Sequence, residues 1–302
     1  MQTILGAGGS VANHLALELP GYTNHIRLVS RNPKKINDAD EIFAADLLDK
    51  KQVEAAVKGS SIVYLTAGLP YNSTVWERDW RPLMENVIEA CKIHQAKLVF
   101  FDNVYMYGKV KREMTETTPF NPVSKKGVVR AAVASMLLKA MDEKSLTAMI
   151  VRSSDFIGAD TQNSVPNMLV IDKLKAGKKA QLFLTDKTVH NYTYLKDATK
   201  AMAMLANTSE AYGQTWHLPS TGIFTGKDFV GKVAEILKVK SHYTIAPRWL
   251  LGVLGLFIPA IKETQEMLYL NEQDYEFSDA KFMKAFPEFK KTAFEDIIKQ
   301  MA

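Results

Sequence analysis

Gly6-Ala7-Gly8-Gly9-Ser10-Val11-Ala12, near the start of this 302-residue chain, is the segment whose residue types most directly imply chemistry. Glycine permits backbone angles that other residues avoid, and it leaves a surface free of side chains on which a pyrophosphate can settle. A helix that opens immediately after such a turn directs its first N–H groups at the same charge. Gly6, Gly8, Gly9, Ser10 and Val11 are therefore candidate ligands for the phosphates of a dinucleotide, with Ala12 as the small residue that lets the helix pack closely. The same glycines could also form a tight turn and nothing more, so their context has to decide.

The context is an apolar run, Ile26-Arg27-Leu28-Val29-Ser30, that ends in Arg31. A carboxylate at this place would accept hydrogen bonds from the adenosine ribose of NAD, and none stands there. Arg31, helped by Ser30 and by Lys34 or Lys35, can instead pair with a 2′-phosphate, so NADP is the preferred expectation and NAD the other candidate. The reading without a ligand is an exposed arginine in an Arg-Asn-Pro turn.

Other chemistries find little in the sequence. The six histidines, at positions 14, 25, 94, 190, 217 and 242, have no metal-ligand spacing, and no Gly-x-Ser-x-Gly elbow occurs. No metal is expected, and His190 and His217 read as structural hydrogen-bonding groups. Cys91, the single cysteine, sits in an amphipathic helical pattern and reads as a small buried side chain rather than a nucleophile.

These residues need a frame. Short apolar runs alternate with helical patterns through the first half, which predicts a parallel sheet wound with crossover helices. Strands are expected at Thr3-Leu5, Ile26-Ser30, Ile42-Ala45, Ile62-Thr66, Leu98-Phe101 and Ala148-Val151, and helices at Val11-Glu18, Lys51-Lys58, Trp76-His94 and Val128-Met141. The last helix is apolar on more than one face, which suggests a homodimer built on it and on Trp76-His94. Beyond Arg152 the alternation weakens and a helix is expected near Met168-Ala176. Val189-Leu195, Asp197-Ala206 and Gln214-Leu218 then read as a strand, helix and strand returning to the sheet, and the chain from Gly226 onward as mostly helical.

The expected fold class is α/β: a Rossmann-type doubly wound parallel sheet with a smaller, mostly helical C-terminal substrate lobe. The dinucleotide-binding domain would occupy 1–165, completed by 188–219, and the substrate lobe 166–187 and 220–302. Apolar residues make up 47% and charged residues 24%, which suits a globular enzyme. The net charge of +5 comes from 38 basic residues dispersed among 33 acidic ones, so no nucleic-acid partner is expected. A strand at the very start leaves no room for a signal peptide, and one cysteine suits a reducing cytoplasm. The most apolar stretch, Trp249 to Ile261, is too short to span a bilayer, is interrupted by Pro259, and reads as a buried helix or a lid, with no membrane partner expected.

Taken together, these features resemble the extended short-chain dehydrogenase/reductase superfamily, in particular the NAD-dependent epimerase/dehydratase-like group and its atypical members. The resemblance implies that Asp46 and Leu47, after the third strand, contact adenine, and that Thr66, Ala67 and Gly68, after the fourth, line the pyrophosphate and ribose. It makes Asn86 a buried structural asparagine, and Val151 to Gly158 the strand and turn into the substrate lobe. Tyr194-Leu195-Lys196-Asp197-Ala198 and Trp216-His217-Leu218-Pro219 resemble the segments that return to the sheet.

The catalytic positions depart from that pattern. Active members place a Ser or Thr four residues before the Tyr of a Tyr-Gly pair, and later carry Tyr-x-x-x-Lys on a helix. Here Asn103 stands four residues before Tyr107-Gly108, Lys126 stands at the tyrosine, and Arg130 at the lysine. An asparagine can still hydrogen-bond a substrate carbonyl. A lysine can donate a proton when its pKa falls toward the working pH, which a nearby cation or burial would favour. The alternative reading of Lys126 and Arg130 is two solvated basic residues on a helix face. Tyr105 is the rival donor: in an extended segment Asn103, Tyr105 and Tyr107 would share one face, with packing the better reading for Tyr107. Three functions follow: an NADP-dependent oxidoreductase acting on a carbonyl-bearing or sugar-like small molecule, a catalytically silent NADP sensor, or a nucleotide-sugar epimerase or dehydratase.

Overall fold

The computed structural model describes residues 1–161 and 163–302. From the amino terminus run β1 (Gln2–Leu5), α1 (Ser10–Glu18), β2 (Ile26–Ser30), β3 (Glu41–Ala44), α2 (Lys50–Val57), β4 (Ile62–Leu65), α3 (Ser73–Ile93), β5 (Lys97–Asp102), α4 (Lys125–Asp142) and β6 (Ala148–Arg152). After these come β7 (Asp155–Ile157), α5 (Asp172–Lys175), β8 (Ala180–Phe183), β9 (Val189–Tyr194), α6 (Leu195–Ala206), β10 (Thr215–His217), β11 (Gly222–Thr225) and α7 (Gly226–Ile236). The chain ends with β12 (Tyr243–Ala246), α8 (Arg248–Phe257), α9 (Pro259–Gln265), α10 (Ala280–Ala285) and α11 (Phe294–Met301).

The chain divides into two compact units, the first comprising Met1–Met106, Lys125–Arg152 and Thr199–Leu218, and the second Tyr107–Ser124, Ser153–Ala198 and Pro219–Ala302. In the first unit seven parallel strands lie in the order β10-β6-β5-β4-β1-β2-β3. The central β1 and β4 are buried at every residue, as strands covered on both faces must be; β4 reads as an unbroken apolar run, while in β1 the buried Gln2 and Thr3 side chains bond Tyr64 and Ser60. From β1 the chain winds outward through β2 and β3, then starts again beside β1 with β4 and proceeds through β5, β6 and β10. That reversal opens a crevice at the carboxyl ends of β1 and β4, where doubly wound sheets bind ligands. The helices start where polar caps allow: Asp49 accepts the N–H groups of Lys51 and Gln52 ahead of α2, and Asn72 that of Val75 ahead of α3.

The second unit is built on a three-stranded sheet, β11-β9-β7, and a two-stranded one, β12-β8. Its core gathers Ile157, Val170, Leu174, Phe229, Val233 and Ile297. The strand expected at Val189-Leu195 does form, as β9, but it pairs with β7 and β11 instead of returning to the large sheet. Its alternation of polar and apolar residues marks a strand without identifying its partners. The helix expected near Met168-Ala176 is one π-helical turn at Asn167–Ile171 running into α5.

The apolar stretch beginning at Trp249 is not a buried helix. Pro259 splits it into α8 and α9; α8 buries Leu251 and Gly255, while Trp249, Leu256 and Phe257 are 70%, 80% and 79% exposed. Ten residues form fewer than three turns, and the second helix covers only one side of them. No helix among the described residues is long and apolar enough to cross a membrane.

Candidate active site

Every residue singled out from the sequence as a ligand or catalyst belongs to the first unit, and they gather along the carboxyl ends of its strands. The glycine turn leaves β1 with Gly6 at φ +104° and Gly8 at φ +98°, angles open to glycine and costly for other residues. The N–H groups of Gly6 and Ala7 both donate to the Val29 carbonyl, at 2.9 and 3.0 Å, which pins the turn to β2. Gly8 borders open space: a β-carbon there would find no atom within 4 Å. Gly9 caps α1 and Ser10 and Val11 open it, with no acid in its first turn to oppose a phosphate. A glycine-rich turn, an open space beside it and a helix N-terminus capped by glycine with no side-chain bond together fit a dinucleotide pyrophosphate.

Ser30 ends β2, with Arg31, Lys34 and Lys35 exposed beyond it. The Lys35 ammonium donates to the Asp38 carbonyl at 2.8 Å. After β3, Asp46 Oδ1 accepts the Leu48 N–H at 3.0 Å and so shapes the turn that buries Leu47. Asn86 on α3 donates through Nδ2 to the Leu47 carbonyl at 3.1 Å, which ties the long helix to this loop. It is half-buried rather than buried, because the loop covers only part of it. Thr66, following β4, holds the Leu5 carbonyl through its N–H at 2.9 Å and its hydroxyl at 3.2 Å, while Ala67 is half-buried and Gly68 exposed.

The end of β5 differs from expectation. Asp102, its last residue, is 1% exposed. Its Oδ1 accepts the Asn103 N–H at 2.9 Å and Arg130 Nε at 2.8 Å, together with a further bond from Arg130 Nη2. Its Oδ2 lies 3.4 Å from Nε of Arg152, the register partner of Asp102 on β6. The Arg130 guanidinium also lies 4.3 Å from the Trp80 ring centre and 4.8 Å from that of Phe100. Arg130, expected at the place of the family's lysine, thus lies in a buried ion-pair knot with Asp102. A guanidinium has no acceptor and keeps its charge, so it does not exchange protons with substrate.

Asn103 is held at two points. Its own N–H bonds Asp102, and its Oδ1 accepts the Tyr105 N–H at 3.0 Å, which leaves the Nδ2 amide as the donor available to a ligand. The extended geometry expected through Tyr107 does not persist, because Tyr105–Tyr107 form a 3-10 turn. That turn is incompatible with the alternation that would set Asn103, Tyr105 and Tyr107 on one face. Tyr105 is half-buried and stacks on Trp76 with ring centres 6.3 Å apart. Tyr107 is buried against Phe120, the packing role anticipated for it. Lys126 opens α4 fully buried, its Nζ 4.5 Å from the Tyr71 ring centre, so it is not a solvated residue on a helix face.

Sequence reasoning missed Asp102, Arg152, Tyr71, Trp76 and Trp80. An aspartate at the end of an apolar strand reads as a strand boundary, and only the arginine four residues beyond Lys126 hinted that a buried acid had to exist. Cys91 is fully buried, and burial pushes its thiol pKa up to about 12, as suits an inert side chain. In the second unit, burial lowers His190 to about 4 where its ring stacks on Tyr275, and raises the Asp155 carboxyl to about 6. No cluster of three or more metal-ligating side chains occurs among the described residues.

A model of the NAD dependent epimerase/dehydratase family matches residues 3–218. Similar solved structures include UDP-glucose 4-epimerase of Thermus thermophilus in complex with NAD, 18% identical with a TM-score of 0.78, covering 99% of this chain and 97% of that one. A double mutant of dTDP-glucose 4,6-dehydratase from Streptomyces venezuelae with NAD bound is 12% identical, with a TM-score of 0.80 over 99% and 95% of the two chains. A putative epimerase of Burkholderia cenocepacia is 16% identical, with a TM-score of 0.80 over 99% and 96%. At these identities the likeness is one of fold. A sequence search among curated proteins found no match.

Proposed function

This chain belongs to the NAD-dependent epimerase/dehydratase family, and from that premise we propose that it is an NADP-dependent oxidoreductase acting on a carbonyl-bearing or sugar-like small molecule. The observation that carries the proposal is the fixed Asn103, whose Oδ1 is engaged by the Tyr105 N–H and whose Nδ2 remains a donor, at the same sheet end as the glycine turn. The structures solved with NAD support a nicotinamide dinucleotide as the partner of that turn. Gly6, Gly8, Gly9, Ser10 and Val11 would hold its pyrophosphate, Asp46 and Leu47 its adenine, Thr66, Ala67, Gly68 and Lys126 its ribose and phosphate edge. Ser30 and Arg31 would take the 2′-phosphate that distinguishes NADP.

When bound, the cofactor supplies or accepts hydride. The protein's part is to polarise the carbonyl and to deliver or remove a proton on its oxygen. Asn103 Nδ2 serves the first task and Lys126, whose ammonium carries three donors, the second. The buried Cys91 is consistent with a reducing cytoplasm. On α4, Val128 is exposed and Met136 and Leu138 are half-buried, a face on which a second copy could pack to give a homodimer.

A second reading, a dinucleotide sensor without turnover, is favoured by Arg130: where active relatives keep a lysine, this chain has a guanidinium committed to Asp102. One experiment separates the two. Calorimetry with NADP and NAD is combined with NADPH oxidation against a panel of aldehydes, ketones and sugar nucleotides, and light scattering reports the oligomeric state. Tight NADP binding with turnover of one class supports the oxidoreductase; tight binding with no turnover replaces it by the sensor.

A further inference from the structure

Asp102 has a role that the assignment of Asn103 and Lys126 leaves open. Burying one carboxylate between two arginines is costly unless the geometry is good, and apolar residues would pack the same space more cheaply. The knot nevertheless joins four elements of the first unit: Asp102 on β5, Arg152 on β6, Arg130 on α4 and Trp80 on α3. Two of its bonds bear directly on the proposed chemistry. The Asn103 N–H is held by Asp102 Oδ1, which fixes the backbone from which the Asn103 amide projects. The Arg130 guanidinium is held by the same oxygen and by the Phe101 carbonyl at 3.5 Å, which fixes the rotation of α4 one turn after Lys126.

We propose that Asp102 is the positioning residue of this site, setting the Asn103 amide and the Lys126 ammonium relative to one another through Asn103 N–H and Arg130, and touching neither substrate nor cofactor itself. The proposal rests on the oxidoreductase reading only for its kinetic consequence. Its geometric content, that Asp102 orders the 103–105 turn, stands independently of any turnover.

The test uses Asp102→Asn, Arg130→Met and Arg130→Lys with NADPH and the carbonyl compound that turns over fastest in the panel. Arg130→Met leaves Asp102 opposite Arg152, so it keeps the buried acid paired should Asp102→Asn fail to fold. The expected result is a fall in kcat of about 100-fold in Asp102→Asn and Arg130→Met, the scale of a misplacement of about 1 Å, with NADPH affinity and KM within about threefold of wild type. Arg130→Lys, which restores a cation opposite the carboxylate, recovers most of kcat. Unchanged kcat per folded molecule alongside a lowered melting temperature would mean a merely structural knot and would overturn the proposal.

A second readout needs no substrate. Site-resolved amide exchange should show Asn103 protected in wild type and Arg130→Lys, and at least about tenfold less protected in Asp102→Ala, which removes the acceptor that asparagine would keep, since a hydrogen-bonded amide exchanges only on local opening. Equal protection in wild type and Asp102→Ala overturns the positioning role even if turnover is found. Absence of any wild-type turnover overturns the oxidoreductase reading, while the exchange result still decides the role of Asp102.

Discussion

A β-carbon on Gly6 would stand 2.4 Å from the Cα of Ala67 and 2.5 Å from its nitrogen, so the turns that follow β1 and β4 meet across the sheet reversal with no room for a side chain. Gly8, two residues on, has the same kind of backbone angle but open space beside it. The two glycines therefore separate packing from ligand approach. Gly6→Ala should lose about 3 kcal/mol or more of stability, from backbone collision added to the strain of a positive φ. Gly8→Ala should lose about 1 kcal/mol, the strain alone, yet bind NADP at least about tenfold more weakly because its methyl enters the space the phosphates need. Urea unfolding and calorimetry of both variants check this. Equal stability in the two would refute the packing argument.

Arg31 stands exposed at the end of β2 with no carboxylate of the ribose-binding kind at that strand end. Arg31→Asp should remove a charge-assisted pair worth about 1.5–3 kcal/mol, weakening NADP by about 10- to 100-fold, and should improve NAD by offering the ribose an acceptor. Lys34 and Lys35 keep part of the NADP affinity. Unchanged discrimination in this variant would remove Arg31 from the site.

Two groups in the second unit make opposite contributions to acid stability. Burial raises Asp155 from the usual carboxylate range to about 6, so the folded state binds its proton more tightly than the unfolded chain does. Its contribution is full below about pH 4 and is lost as pH rises through 6, up to roughly 3 kcal/mol. Burial lowers His190 from 6.5 to about 4, with Asp274 opposing that shift, so its contribution is full above about pH 6.5 and is lost as pH falls toward 4. Between pH 4 and 6.5 the two slopes largely cancel in the wild type. Asp155→Asn should become steeply acid-labile across that window and His190→Gln should gain stability toward acid, as read from urea midpoints at pH 4.5, 5.5 and 6.5. Parallel pH profiles for the two variants would contradict the assignment.

The sheet and its glycine turn were legible because they rest on local signals. Apolar runs such as Ile62 to Leu65 allow little but a covered strand, and Gly6 and Gly8 stand where the backbone needs positive φ. The candidate catalytic residues were legible only by position. Asn103 was singled out by its distance from Tyr107-Gly108 and Lys126 by its four-residue spacing from Arg130, but spacing could not reveal that Arg130 pairs with Asp102. That pairing depends on a parallel register, Asp102 opposite Arg152, set by strands fifty residues apart. The failure at Tyr105 has a different cause. Alternation was extended past the end of β5, where Asn103 Oδ1 captures the Tyr105 N–H and bends the chain into a turn.

The proton donor is the last question the geometry addresses. In the proposed carbonyl reduction, hydride arriving at the carbon leaves an alkoxide that has to be protonated, and Lys126 and Tyr105 are the candidates singled out for that role. Tyr105 spends its ring on Trp76, stacked with planes 20° apart in a turn ordered by Asn103, an arrangement that Phe would reproduce. Lys126 is fully buried at the start of α4, where its ammonium lies against the Tyr71 ring and its helix is anchored one turn later through Arg130. Its ammonium brings three donors to the amino end of α4, the helix that follows the Asn103 loop. Lys126→Met, which preserves the volume of the stem, should therefore lower kcat by about 100-fold or more, within the range for loss of a general acid, whereas Tyr105→Phe should lower it by less than about tenfold. Stopped-flow NADPH oxidation with wild type and both variants, each first matched for NADP affinity, makes the comparison. A large loss confined to Tyr105→Phe would transfer the donor role to that hydroxyl and leave Lys126 as a contact to the cofactor ribose.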